Sequence, residues 1–463
     1  MLDELYNLIA EMIVYLLEKT DADFYKKYNS RTQTERDRER NIVCKNVPGL
    51  FEKDSEQCCD LGNNIGTKTE FLESLKHLFL YCRKAEEDKC ILQLLELLDG
   101  SLEFQMLREL ESLEDEASEE CLNPNWNKLK LGIVPRCTCY WERGHRGSQH
   151  YDRLDNFLKN ILIINYQVLG EMQVFHHFLP VNTFYSAEKK GSLSVAVSPF
   201  KMQRDFEQET YEREGTCYFS VQYSGNAECD NQNIKDIISE AAKEQVDILI
   251  FPEMLGNTMM VDEIAEYLQE PFWLSQNKPP AIISLPSVWD EHKNTVNLLN
   301  HTGTIICGQN KQEAYLEPID PGGSAYEDIK KDYRIHLIHG IGIGRMAVMI
   351  CKDFLTKDYL DIMLENLKVK LILIPSYSTG YHDFETMAGN LLMSDCCAVW
   401  ANACGAIKER NGEERKVGFV LRSGRNTGKE REYVCIEDFC SQKEYMETRL
   451  KVWKLYYKTL LGR

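Results

Sequence analysis

At 463 residues the chain is long for one domain and comfortable for two. It is 43% hydrophobic and 27% charged, ordinary for a globular protein, and no apolar stretch approaches the twenty residues of a membrane-spanning helix. A formal charge of -19 argues against nucleic acid as a general partner, because phosphates would be repelled.

The start, "MLDELYNLIAEMIVYLLEKTD", lacks a basic segment and a small-residue cleavage site, so it is not read as a signal peptide and a cytoplasmic protein is expected. The 17 cysteines are scattered and odd in number, which favours reduced thiols, most of them small buried hydrophobes.

Residues 1–185 read as a mainly helical, acidic domain. Leu2, Leu5, Ile9, Ile13 and Leu16 recur at helical spacing, as do the apolar positions between Lys68 and Glu120, with Gly100 as a break. Phe157, Ile161, Ile164, Val168 and Met172 give a further helix by the same spacing. Arg31 to Arg40, "RTQTERDRER", reads as a solvated charged stretch or loop. No internal repeat is visible.

From Ser192 the pattern changes to α/β. "LSVAVSPF" is a strand, Ile234, Ile237, Ile238 and Ala241 share one helical face, and "VDILIFPE" is a continuous apolar strand of the kind buried on both sides. "PAIISLPSVW", a hairpin "NTVNLLNHTGTIICGQNK", "GRMAVMICKDF", "KLILIP" and "CAVWANA" follow, with helices at "KDYLDIMLENL" and "FETMAGNLLMSD". The locally basic tail "EYMETRLKVWKLYYKTLLGR" places Met446, Leu450, Trp453 and Leu460 near one helical face. That face would dock on a second copy of the chain or on its own domain.

Cys351 ends an apolar strand and opens a helix, a position suited to a nucleophile. Such a thiol needs a base and an oxyanion donor. His336, His339 and His382 read as loop or strand-edge residues and not as the base. Glu253 ends "VDILIFPE", where desolvation raises a carboxylate towards the range of a general base. Lys311 ends the second arm of the hairpin, where an ammonium can hold an oxyanion.

Glu253, Lys311 and Cys351, each at a strand terminus and 58 then 40 residues apart, resemble the nitrilase or carbon–nitrogen hydrolase superfamily over residues 192–440. "FPE" matches the glutamate motif, Asn294, Gly303 and Lys311 the lysine segment, and "GRMAVMICKDF" the cysteine motif, with Asp353 two positions after the thiol. Pro375 and Ser376, and Asn402 with Gly405, match the later motifs. Lys352 departs from the pattern, since bulky side chains are more familiar after the nucleophile. The insertion "KMQRDFEQETYEREGTCYFSVQYSGNAECDNQ" is a candidate lid or partner surface.

The resemblance implies an α-β-β-α four-layer sandwich over residues 192–463 with a C-terminal helical tail. It implies an amidase or nitrilase acting on a small non-peptide amide or nitrile, without cofactor or metal, and often as a homo-oligomer. It further implies a second glutamate, for which Glu317 is the best candidate and Glu313 and Glu327 stand behind it. Lys352, Asp353, Pro375, Ser376 and Asn402 are the expected oxyanion and substrate-shaping residues.

Two other readings compete. One is a nitrilase-like binding or regulatory module, as occurs in bacterial defence proteins, whose residues 1–185 sense or assemble with a protein partner. The other is a zinc site at Cys137, Cys139, His145 and His150, although Cys-x-Cys is not the usual ligand spacing. The paired Cys58 and Cys59 give a weaker signal still.

Overall fold

The computed structural model describes residues 2–47, 69–114, 117–142, 153–200, 206–275, 277–319, 322–407, 415–422, 431–435 and 451–457. The chain divides into two units, Met1–Cys137 with Arg143–Gly170 and Thr138–Glu142 with Glu171–Arg463. The division therefore falls earlier than the 185–192 boundary read from the sequence. Strand Gln173–Phe178 is the reason, since it pairs in parallel with Arg334–Gly340 of the second unit.

In the first unit the helices Leu2–Lys19, Thr69–Ala85 and Asp88–Ser101 bury the apolar positions that their spacing predicts, among them Leu5, Ile9, Ile13, Leu75, Leu95 and Leu98. Two local readings are corrected. The charged stretch is not a loop: Gln33–Asn46 is a helix, started by a capping box in which Thr32 Oγ1 accepts the Glu35 N–H and Glu35 Oε2 accepts the Thr32 N–H. Nor do Ile161 and Ile164 lie on a helix. Ile161–Asn165 is a β-branched strand antiparallel to Leu131–Pro135. Its entry is held by the buried Asp99 carboxylate, which accepts N–H bonds from Lys159 at 2.7 Å, Asn160 at 3.0 Å and Ile161 at 2.9 Å.

The second unit is layered. One sheet runs Gln173–Phe178, Arg334–Gly340, Gly344–Val348, Leu371–Ser376, Cys397–Asn402, Lys416–Leu421 and Arg431–Cys435. The other runs Val288–Asp290, Lys293–Asn300, Ile282–Ser284, Ile248–Ile250, Ser192–Val197 and Lys451–Tyr457, with Ile305–Asn310 paired to Lys293–Asn300 as the predicted hairpin. The sheets pack face to face, through Cys397–Asn402 against Ser192–Val197. Helices Ala227–Lys243 and Met260–Leu268 cover one outer face through Ile234, Ile237, Ile238, Met260 and Ile264. On the other outer face Phe384, from helix His382–Ala388, stacks on Trp400 at 5.1 Å. The four layers are helix, sheet, sheet, helix, as the resemblance implies.

The tail differs from expectation. Lys451–Tyr457 is a strand antiparallel to Ser192–Val197, because that edge of the sheet presents unpaired backbone groups that an extended segment satisfies and a helix does not. Met446, Leu450 and Leu460 lie outside the described residues. Beyond the two large sheets, the insertion forms a hairpin, Phe206–Arg213 and Thr216–Tyr223, in a small sheet with Leu316–Ile319 and Gly323–Glu327. No helix among the described residues is long and apolar enough to cross a membrane.

Candidate active site

Four strand ends converge. Glu253 follows strand Ile248–Ile250, where its N–H donates to Ser376 O at 3.3 Å and the next residue, Met254, turns the chain with φ 66°. Lys311 follows strand Ile305–Asn310, with its N–H on Asn294 O at 2.9 Å. Glu327 closes strand Gly323–Glu327. Cys351 joins strand Gly344–Val348 to the short helix Lys352–Leu355 at φ 47° and ψ -100°, a conformation that L-residues rarely adopt. Its N–H is held by Pro375 O at 2.9 Å. The strands before Glu253 and Cys351 are buried throughout, whereas those before Lys311 and Glu327 alternate between buried and more exposed positions.

Glu253 and Lys311 are each 1% exposed, and Cys351 is 7% exposed. Lys311 Nζ donates to Glu253 Oε1 at 2.7 Å and to Glu327 Oε2 at 2.6 Å. Asn294 Nδ2 bridges the same carboxylates, at 2.8 Å to Glu253 and 3.2 Å to Glu327. The remaining oxygen of Glu253 accepts the Tyr377 N–H at 3.0 Å, and the Glu253 charge acts on the Cys351 thiol.

The charges set the proton positions. Burial disfavours the Lys311 ammonium, but the attraction of Glu253 and Glu327 outweighs it, so Lys311 stands well above the usual lysine range and stays charged. Burial pushes Glu253 up, with Lys311 opposing and Glu327 reinforcing. Burial also raises the Cys351 thiol, and the Glu253 charge raises it further. With two carboxylates against one ammonium, a thiolate would be an uncompensated second negative charge. At rest the Cys351 sulfur is therefore a thiol.

The second glutamate bonded to Lys311 is Glu327; Glu317, the best candidate from the sequence, lies elsewhere. Glu317 lies across from Ala325 in the small sheet and accepts from Gln208 Nε2 at 2.6 Å, while Glu313 pairs with Lys331 at 2.5 Å. Inward alternation of Ala325 and Glu327 after the Gly322–Gly323 turn is the sequence signal that marks the right one.

The other expected residues surround these four. Asp353 is buried and accepts backbone N–H bonds from Gln312 at 3.0 Å and Glu313 at 2.7 Å, so it fixes the turn after Lys311. Pro375 and Ser376 supply the carbonyls that hold Cys351 and Glu253; among the described residues Ser376 Oγ has no hydrogen-bond partner. Asn402 clamps Ser378 at both its N–H and its carbonyl, each at 2.8 Å, and so holds the loop that presents the Tyr377 N–H. Lys352 is half-buried and opens its helix, where the backbone N–H has no intrahelical acceptor.

His336 and His339 are not loop residues: both lie within strand Arg334–Gly340, and neither is hydrogen-bonded to Cys351. His382 starts a helix. His145 and His150, like Cys58 and Cys59, lie outside the described residues.

Neither a protein-family model nor a curated protein matches the sequence. Among solved structures the fold is similar to a cysteine variant of an amidase of the nitrilase superfamily from Nesterenkonia AN1, at 13% identity and a TM-score of 0.39, over 57% of this chain and 92% of that one. A cysteine variant of the amidase from Nesterenkonia sp. AN1 in complex with butyramide is similar at 11% identity and a TM-score of 0.35, over 50% of this chain and 84% of that one. The C. elegans NitFhit protein is similar at 18% identity and a TM-score of 0.36, over 50% of this chain and 56% of that one.

Proposed function

We propose that the second unit is a carbon–nitrogen hydrolase that cleaves a small non-peptide amide or nitrile through a thioester on Cys351. The observation that carries this reading is the buried Lys311 ammonium, bonded to two carboxylates whose charges act on a buried thiol at a strained turn. Burying such charges is costly, and a core that needed only stability would do as well with apolar residues. Perturbed groups converging on a nucleophile are the mark of a working site.

In this mechanism Glu253 takes the Cys351 proton as the sulfur attacks the amide carbon. Lys311 and the Lys352 N–H stabilise the oxyanion. Glu253 gives the proton to the departing ammonia or amine, leaving a thioester. It then takes a proton from water as the water attacks, and the acid leaves while that proton returns to sulfur. For a nitrile the first adduct is a thioimidate, which adds water before ammonia departs. Glu327 and Asn294 touch neither the sulfur nor the substrate carbon; they keep the ammonium and the base in register.

The test is a panel of short aliphatic and aromatic amides and nitriles, with ammonia release and acid-quenched peptide mass spectrometry as readouts. Wild type is expected to release ammonia and carry the acyl group on Cys351, and Cys351→Ala to lose both. Turnover retained in Cys351→Ala would overturn the assignment. A Cys351 that neither acylates nor alkylates faster than the other cysteines would instead support the binding-module reading.

A further inference from the structure

Strands Gln173–Phe178 and Arg334–Gly340 run parallel, with His336 opposite Phe175 and Ile338 opposite His177. Alternation puts Phe175, His177, His336 and Ile338 on one face of this pair and His176, Phe178, Leu337 and His339 on the other. Each face carries a histidine couple: His176 Nδ1 and His339 Nε2 are 2.9 Å apart, and His177 Nε2 and His336 Nδ1 are 2.8 Å apart. Beside the second couple stands a thiol. The Cys307 sulfur, from strand Ile305–Asn310, and one nitrogen of each ring all lie within 4.8 Å of one another.

We infer that His177, His336 and Cys307 bind a divalent transition-metal ion of the zinc class, with a fourth position left for water. Two imidazoles and a thiolate are a donor set that zinc prefers. Tetrahedral bonds of about 2.0–2.1 Å to nitrogen and 2.3 Å to sulfur set donor separations of roughly 3.3 Å and 3.6 Å. The histidine couple at 2.8 Å needs to open by only about half an ångström to meet that spacing.

The surroundings suit a ligand set. All three donors are on strands, and His336 is stacked on Phe175 at 5.4 Å. Gln309, two residues from Cys307, accepts the His336 N–H at 3.1 Å and donates to Arg334 O at 3.1 Å, tying the cysteine strand to the histidine strand. His177 and Cys307 are buried and His336 is half-buried, which leaves an approach for the ion.

On binding, the Cys307 thiol releases its proton to solvent and its sulfur bonds the ion. The proton shared between the two rings shifts to the far nitrogen of its own ring, freeing both facing nitrogens. No electrons are transferred. The ion clamps the arm that leads, four residues on, to Lys311, and its site is independent of the hydrolase reading.

The test uses the full chain, stripped with a chelator and titrated with Co²⁺ and then Zn²⁺. Wild type is expected to bind one cobalt per chain at this site, with a thiolate-to-cobalt charge-transfer absorption that zinc displaces. Cys307→Ser should abolish that absorption. His336→Gln, at the half-buried position, should weaken binding by at least about a hundredfold. Cys137→Ser/Cys139→Ser should leave the absorption unchanged. No cobalt bound above the buffer blank, or an absorption that survives in Cys307→Ser or binds at full strength in His336→Gln, would overturn the inference.

Discussion

The Glu253 carboxylate has two opposed effects on Cys351, and a single substitution separates them. As a charge it raises the thiol; as the proposed base it would receive the proton. In Glu253→Gln the charge is gone while Lys311 remains, so thiolate should form at lower pH than in wild type. The midpoint of Cys351 alkylation against pH, followed by peptide mass spectrometry, is expected to fall, while turnover of any amide substrate falls by about 10²–10⁴-fold. An unmoved midpoint would mean that the two groups do not interact. Glu327 and Glu317 make a second contrast. Glu327→Gln removes one of the two charges that hold the Lys311 ammonium and should lower the rate by about 10²-fold through misplacement. Glu317→Gln should change it by no more than about twofold.

At the scale of the element, the turn after Lys311 depends on Asp353. Burial holds that carboxyl at about 8, with Lys311 and the backbone N–H bonds pulling the other way, whereas an unfolded aspartate titrates near 4. The folded chain therefore keeps a proton that the unfolded chain releases between those values. The stability this group contributes is complete below about pH 4 and is lost as the pH rises through 8. Asp353→Asn cannot titrate, so its denaturant midpoint should vary less across that window than the wild-type midpoint does. At low pH the variant should also be less stable by about 1–3 kcal/mol, since one acceptor oxygen for buried N–H groups is gone. Equal pH slopes for the two proteins would remove Asp353 from this role. Much at this scale is legible in the sequence: the runs before Glu253 and Cys351 are apolar on both faces, and the hairpin before Lys311 alternates around a Gly303 turn at φ 80°. The Ile161 strand was not legible, because a four-residue apolar run has no period long enough to separate helix from strand.

For the whole molecule, each unit has its own buried core, so a cavity in one should be felt first within it. Leu95 is buried among the helices of the first unit, and Leu95→Ala should cost about 2–5 kcal/mol there. Amide exchange is expected to quicken across Leu2–Lys19 and Asp88–Ser101, with the Cys351 alkylation rate of the second unit unchanged. A changed rate would show that the helical unit governs the thiol, which is the behaviour expected of a sensing module. Sequence by itself determined the α/β character after Ser192, the helical periodicity before it, and the three residue types that stand where apolar strands stop, because all of these depend on neighbours close along the chain. Tertiary structure decided what depends on partners far apart. It set Glu327 rather than Glu317 beside Lys311, joined Gln173–Phe178 to the second unit, and turned the tail into an edge strand. It also brought His177 within 2.8 Å of His336 across 159 residues, a distance that only the parallel pairing of their strands can set.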